Sequence, residues 1–140
     1  SDGDLVVVGG GRKRLWSGFI PVDTSQTYRL SGRFRVLPAS DGSPAPSTIL
    51  FGVAAFDGNR ERLATGSAYL RYIGANLVVL NSLQNWVTLY GSITSEGDGS
   101  NLFIPGTKFI RVYVSANTFE EDSAVEIRDI EFTQLLEVSG

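Results

Sequence analysis

The stretch FIPGTKFIRVYVSAN, residues 103–117, decides the fold. It opens on a Pro-Gly corner and then alternates, with Phe109, Arg111, Tyr113 and Ser115 on one side and Ile110, Val112, Val114 and Ala116 on the other. A period of two marks a β-strand, and the small branched face is the one that suits a core. The aromatic and arginine face then needs a partner of another kind.

The same pattern extends in both directions along the chain. Strand-like alternation occupies 4–8, 14–20, 27–37, 48–57, 67–73, 77–81, 86–94, 108–117 and 124–135. Between these segments lie GGGRK, PVDTSQ, PASDGSPAPS, DGNRE, SEGDGSN, IPGT and NTFEEDS, all rich in turn-forming residues. No segment has a helical period of useful length. About eight or nine short strands without crossover helices predict an all-β fold, an antiparallel two-sheet β-sandwich of jelly-roll type. Loop 38–47, stiffened by Pro38, Pro44 and Pro46, is expected to cross between the sheets, and DGN at 57–59 to form a tight hairpin.

The inward parity of 27–37 reads Tyr28, Leu30, Gly32, Phe34, Val36, and its outward face carries Arg29, Ser31, Arg33 and Arg35. In 86–94 the inward set is Val87, Leu89, Gly91, Ile93. The last strand breaks the rule, because Val125 and Ile127 share one parity while Ile130 and Phe132 share the other. A β-bulge near Arg128 and Asp129 resolves the conflict and re-aims Asp129.

At 140 residues, residues 1–140 form one domain, and SDGD without an initiator Met reads as the start of a piece of a longer protein. Twelve basic residues against fifteen acidic ones, a net charge of −3, argue against nucleic acid as a partner, and no apolar run is long enough for membrane insertion. Cysteine and histidine are both absent, which removes disulfides, thiolate sites, Ser-His-Asp and Cys-His nucleophiles and His-based zinc centres. No two acids share a strand face with the aromatic residues, so no glycosidase pair is evident and the protein is not expected to be an enzyme. The glycines of VVVGGGRKR precede no helix that would hold a phosphate.

IPVDTSQTYRLSGRFRV, ILFGVAAFDGN, WVTLYGSIT, FIPGTKFIRVYV and AVEIRDIEF, in that order, resemble the galactose-binding-like β-sandwich of carbohydrate-binding modules, in particular module-like domains of bacteriophage tail fibre or head spike proteins. The resemblance spans about residues 14–135. It implies a non-catalytic jelly roll that binds glycans on a sheet face or at loop tips, often with one structural calcium near the chain ends. In phage proteins it implies display at the virion surface, where the domain meets host polysaccharide.

The residues themselves suggest where a glycan would lie. If 86–94 and 108–117 share a sheet, Trp86, Tyr90, Arg111 and Tyr113 form one platform, with Tyr69 and Arg71 of SAYLRYI, or Tyr72 on its other parity, at the border. Sugars have apolar C–H faces ringed by hydroxyls, which rings and planar donors match. Tyr90 and Tyr113 are then expected to stand open to water, so that their truncation weakens binding and spares the fold. The rival reading covers these rings with a neighbouring domain or the other subunits of a trimer, as in a virion assembly domain. A third makes the chain an extracellular accessory module of a polysaccharide-degrading enzyme. The arginines at 29, 33 and 35 read either as a solvated face paired with carboxylates or as a contact for an acidic sugar such as a uronate. For calcium, the acidic loop NTFEEDS offers Glu121 and Asp122, and the resemblance adds Asp129 in the last strand.

Overall fold

The computed structural model describes residues 5–136. Among these residues there are nine strands: β1 (Leu5–Val8), β2 (Lys13–Trp16), β3 (Ile20–Pro21), β4 (Thr27–Val36), β5 (Pro46–Phe56), β6 (Leu70–Asn81), β7 (Val87–Thr94), β8 (Phe109–Ala116) and β9 (Val125–Gln134). Among the described residues there is no helix. Asp4, expected to open the first strand, lies outside the described residues.

The strands form an antiparallel two-sheet sandwich of jelly-roll type. The first sheet has the order β1-β9-β4-β7 and the second β2-β8-β5-β6, with β3 also on β8. β4 belongs to the first sheet and β5 to the second, so the proline-rich loop between them does cross the sandwich. The inward parities hold. Leu30, Phe34, Ile93 and Ile110 are almost entirely buried, and Val112, Val114 and Ala116 join them in one core. Phe34 and Phe51 meet edge to face at 5.1 Å across the two sheets.

Two expectations about strands need revision. Residues 70–73 of the segment 67–73 and the segment 77–81 belong to one strand, β6, which stays paired to β5 through two register shifts and a left-handed residue at Leu77 (φ 57°), while 67–69 form a turn before it. Segment 14–20 is instead broken, into β2 and β3, between Trp16 and Ile20. At 57–60 the chain turns tightly. Asp57 accepts from the Asn59 and Glu61 amides, and Arg62 returns to bridge Phe56 without a second long strand.

The bulge in the last strand is where the parity conflict requires it. β9 pairs Glu131 with Ser31 and Arg128 with Arg33, so Asp129 and Ile130 stand opposite Gly32 alone. Asp129 takes φ 56°, a conformation that Asp tolerates better than most residues. Beyond the bulge Phe132 stacks on Tyr28 at 5.0 Å, and Ile130 lies over Gly32 at the rim of the core.

Candidate functional site

The outward face of the second sheet carries the cleft with the most chemistry. On β2, Leu15 packs on the core and so turns Arg14 and Trp16 outward. On β8 the same alternation turns out Arg111 and Tyr113. The register sets Trp16 directly beside Tyr113, and their ring centroids are 4.4 Å apart. On the other side of Tyr113 stands Gly52 of β5.

That glycine shapes the site. β5 and β6 pair at Phe51–Ala75 and at Val53–Arg71, so residues 72–74 bulge opposite Gly52. A Cβ at position 52 would lie 2.0 Å from the Arg71 carbonyl oxygen and 2.8 Å from the Tyr72 Cα. Only a residue without a side chain lets β6 approach so closely. The bulge places the Tyr72 ring 6.4 Å from that of Tyr113.

The resulting cleft has a volume of about 520 Å³ and is lined by the rings of Trp16, Tyr69, Tyr72 and Tyr113 and the guanidinium groups of Arg12, Arg14, Arg62 and Arg111. Tyr69 and Tyr113 form its floor, 5% and 3% exposed, whereas Trp16 is 37% exposed. The Trp16 and Tyr69 planes are within 8° of parallel, with centroids 6.5 Å apart. Arg62 lies over Tyr69 at 4.8 Å and Arg111 over Trp16 at 5.4 Å, and Arg111 is held in place by an Nε bond to the Ser17 carbonyl at 2.7 Å. Burial raises the pKa of the Tyr72 hydroxyl above its ordinary value of 10.0, an effect to which Tyr113 adds and which Arg12 and Arg14 oppose. At neutral pH that phenol is therefore protonated and able to donate. Among the described residues no Asp or Glu lines the cleft.

The structure brings together three of the six residues the sequence suggested for a sugar platform, Tyr69, Arg111 and Tyr113. Trp86 and Tyr90 are elsewhere, because β7 pairs with β4 in the first sheet and not with β8. The expected shared platform is thus divided between opposite outer faces of the sandwich. Arg71 also turns away from the cleft. Its Nε donates to the Leu102 carbonyl at 3.0 Å and its Nη1 to that of Leu70 at 3.3 Å, so it pins loop 95–103. Tyr113 is not open to water as expected, since Trp16 and Tyr72 flank it. Sequence reasoning missed Trp16, Arg12, Arg14 and Arg62. The signal for two of them was present, because Arg14 and Trp16 share a parity in RLW.

On the first sheet the arginines meet rings and carboxylates of the protein itself, although Arg128 Nε is buried without a hydrogen-bond partner. Arg29 covers Tyr90 at 4.6 Å, and Arg33, Arg35 and Arg128 surround Trp86 at 5.4, 4.7 and 4.5 Å. Arg35 Nε donates to Glu126 at 2.7 Å, and Asp129 is 3.5 Å from Arg33 and 3.6 Å from Arg128.

The residues suggested for calcium do not come together. Among the described residues no group of three or more acidic side chains is arranged to hold an ion. Asp129 serves the two guanidiniums just named. Glu121 accepts from the Thr48 amide and hydroxyl and from the Phe119 amide, which ties loop 117–124 to the start of β5. Asp122 is exposed. A set of acceptors already engaged in this way does not fit a calcium centre, which needs six to eight oxygens converging on one point.

No protein-family model and no curated protein matches the sequence. Among solved structures ten chains match. The chain is similar to the CBM22-1 xylan-binding domain of Xyn10C from Paenibacillus barcinonensis, with 17% identity and a TM-score of 0.52 over 84% of this chain and 60% of that one. It is also similar to the N-terminal CBM22-1-CBM22-2 tandem domain of the same Xyn10C, with 14% identity and a TM-score of 0.50 over 96% of this chain and 43% of that one. The chain spans less than two thirds of either relative's length. At these identities the likeness is one of fold, the β-sandwich of carbohydrate-binding modules.

Proposed function

We propose that the protein is a non-catalytic glycan-binding module whose site is the cleft on the outer face of the second sheet. The observation that carries this reading is the ring set Trp16, Tyr69, Tyr72 and Tyr113 converging on one groove with forked donors around it. Rings supply flat apolar contact for the C–H faces of a sugar, and guanidinium and phenol groups supply donors for its oxygens. Among the described residues no carboxylate lines the cleft to serve as the acid or base that hydrolysis of a glycosidic bond needs. The xylan-binding domain of similar fold supports the same class of ligand.

Affinity electrophoresis through gels that contain soluble polysaccharides tests the reading. A retarded wild type is expected, and Trp16→Ala should lose about 1.5 kcal/mol of binding, roughly tenfold in affinity. Circular dichroism of the same variant should remain that of a folded β-protein. Equal retardation of variant and wild type would move the site away from this cleft.

Display on a phage fibre or spike, at the virion surface, is the setting suggested by the order of the sequence motifs. The flanking sequence of the parent chain tests it. Fibre or coiled-coil repeats beside this domain would support it, and a polysaccharide-degrading catalytic domain would replace it with a secreted accessory module.

A further inference from the structure

We propose that the cleft selects acidic polysaccharides, whose sugars carry carboxylate or sulfate groups, over neutral ones. The proposal rests on the glycan-binding reading above and adds the charge of the ligand. Four arginines, Arg12, Arg14, Arg62 and Arg111, line the groove, and among the described residues no Asp or Glu joins them on its walls. Among the described residues the ion pairs engage Arg33, Arg35 and Arg128, all on the first sheet, and none of the cleft arginines.

This is not the bulk charge of the chain, which is −3. The seven arginines just named are divided by face. On the first sheet they meet carboxylates and rings within the protein, whereas in the cleft Arg62 and Arg111 lie over rings, Arg111 also bonds the Ser17 carbonyl, and none forms an ion pair with a described carboxylate. Arg12 Nε is buried without a hydrogen-bond partner, but so is Arg128 Nε on the first sheet, so this feature does not distinguish the two faces. Forked guanidinium groups bind carboxylate and sulfate oxygens in pairs, with bonds about twice as strong as neutral ones. Arg111, fixed through Nε by the Ser17 carbonyl, keeps its terminal nitrogens for such a contact. The rings orient the sugar plane, and the arginines select the charged substituent.

Binding is measured in parallel to polygalacturonate, dextran sulfate, neutral xylan and single-stranded oligothymidylate. At least one of the two acidic polysaccharides should bind about tenfold or more tightly than xylan at low salt, and the advantage should shrink as salt rises. Preference for one acid polymer identifies the group as carboxylate or sulfate, and preference for both assigns the shared anionic chemistry. Arg14→Gln and Arg62→Gln, at exposed positions where the fold does not depend on the side chain, should each cut the acidic-over-neutral ratio roughly tenfold. Arg29→Gln, on the opposite sheet, should leave that ratio unchanged. Equal or tighter binding of xylan overturns charge selection and leaves the glycan-binding reading standing. Failure to bind any polysaccharide overturns both. Oligothymidylate bound as tightly as the acidic polysaccharides overturns the proposal in favour of a nucleic-acid site.

Discussion

Ile110→Asp abolishes the folded state, whereas Arg14→Ala on the neighbouring strand leaves stability within about 0.5 kcal/mol of the wild type. Ile110 lies in the middle of the core with none of its surface exposed. A carboxylate there would be desolvated without a partner, at a cost of several kcal/mol, and even its protonated form would bury an unsatisfied hydroxyl. A domain of this size has a stability of roughly 5–15 kcal/mol, so the loss is close to the whole. Urea unfolding followed by circular dichroism measures both variants. A folded Ile110→Asp protein beside an unfolded Arg14→Ala one would mean that the two faces have been assigned the wrong way round.

Gly52→Ala is expected to cost about 3 kcal/mol or more and to disorganise the cleft at the same time. The added Cβ would overlap the Arg71 carbonyl, which is backbone and cannot rotate away. β6 must then withdraw from β5, and the bulge that presents Tyr72 is lost. A melting temperature lowered by roughly 10 °C is the thermal equivalent for a chain of this length. Glycan affinity should fall with it, even at temperatures where the variant is still folded. An unchanged melting temperature would show that the close approach at Gly52 has no energetic weight.

The alternation of β4, β7 and β8 was legible because side chains in a strand alternate strictly, and a core face of Ile, Val and Leu has no other use. The bulge at Asp129 was legible for the same reason, since Ile127 and Ile130 cannot both face inward on a regular strand. The partner of each strand was not legible. Residues 86–94 and 108–117 have the same pattern of rings outside and aliphatics inside, and nothing within either segment says that one joins β4 and the other β5. That pairing is set by long-range packing, and it sent Trp86 and Tyr90 to the opposite face.

The site was half legible for related reasons. Tyr113 and Arg111 could be placed on an outward face, but not the burial of Tyr113, which depends on Trp16 and Tyr72 arriving from two other strands. Arg71 shows the limit of parity near a strand end. The turn at 65–68 brings Tyr69 to the cleft with Leu70 and Tyr72, and leaves Arg71 to bond the Leu102 carbonyl.

The two tryptophans of the chain stand on opposite faces, Trp16 in the cleft and Trp86 among the arginines of the first sheet. Each can therefore be made the sole reporter of its own face, by Trp86→Phe in one variant and Trp16→Phe in the other. Fluorescence of both is followed while a polysaccharide retained by the wild type is titrated in. The emission of Trp16 alone should shift in a saturable manner, with that of Trp86 unchanged. A saturable change in Trp86 with none in Trp16 would place the glycan on the first sheet and contradict the assignment of the cleft as the binding site.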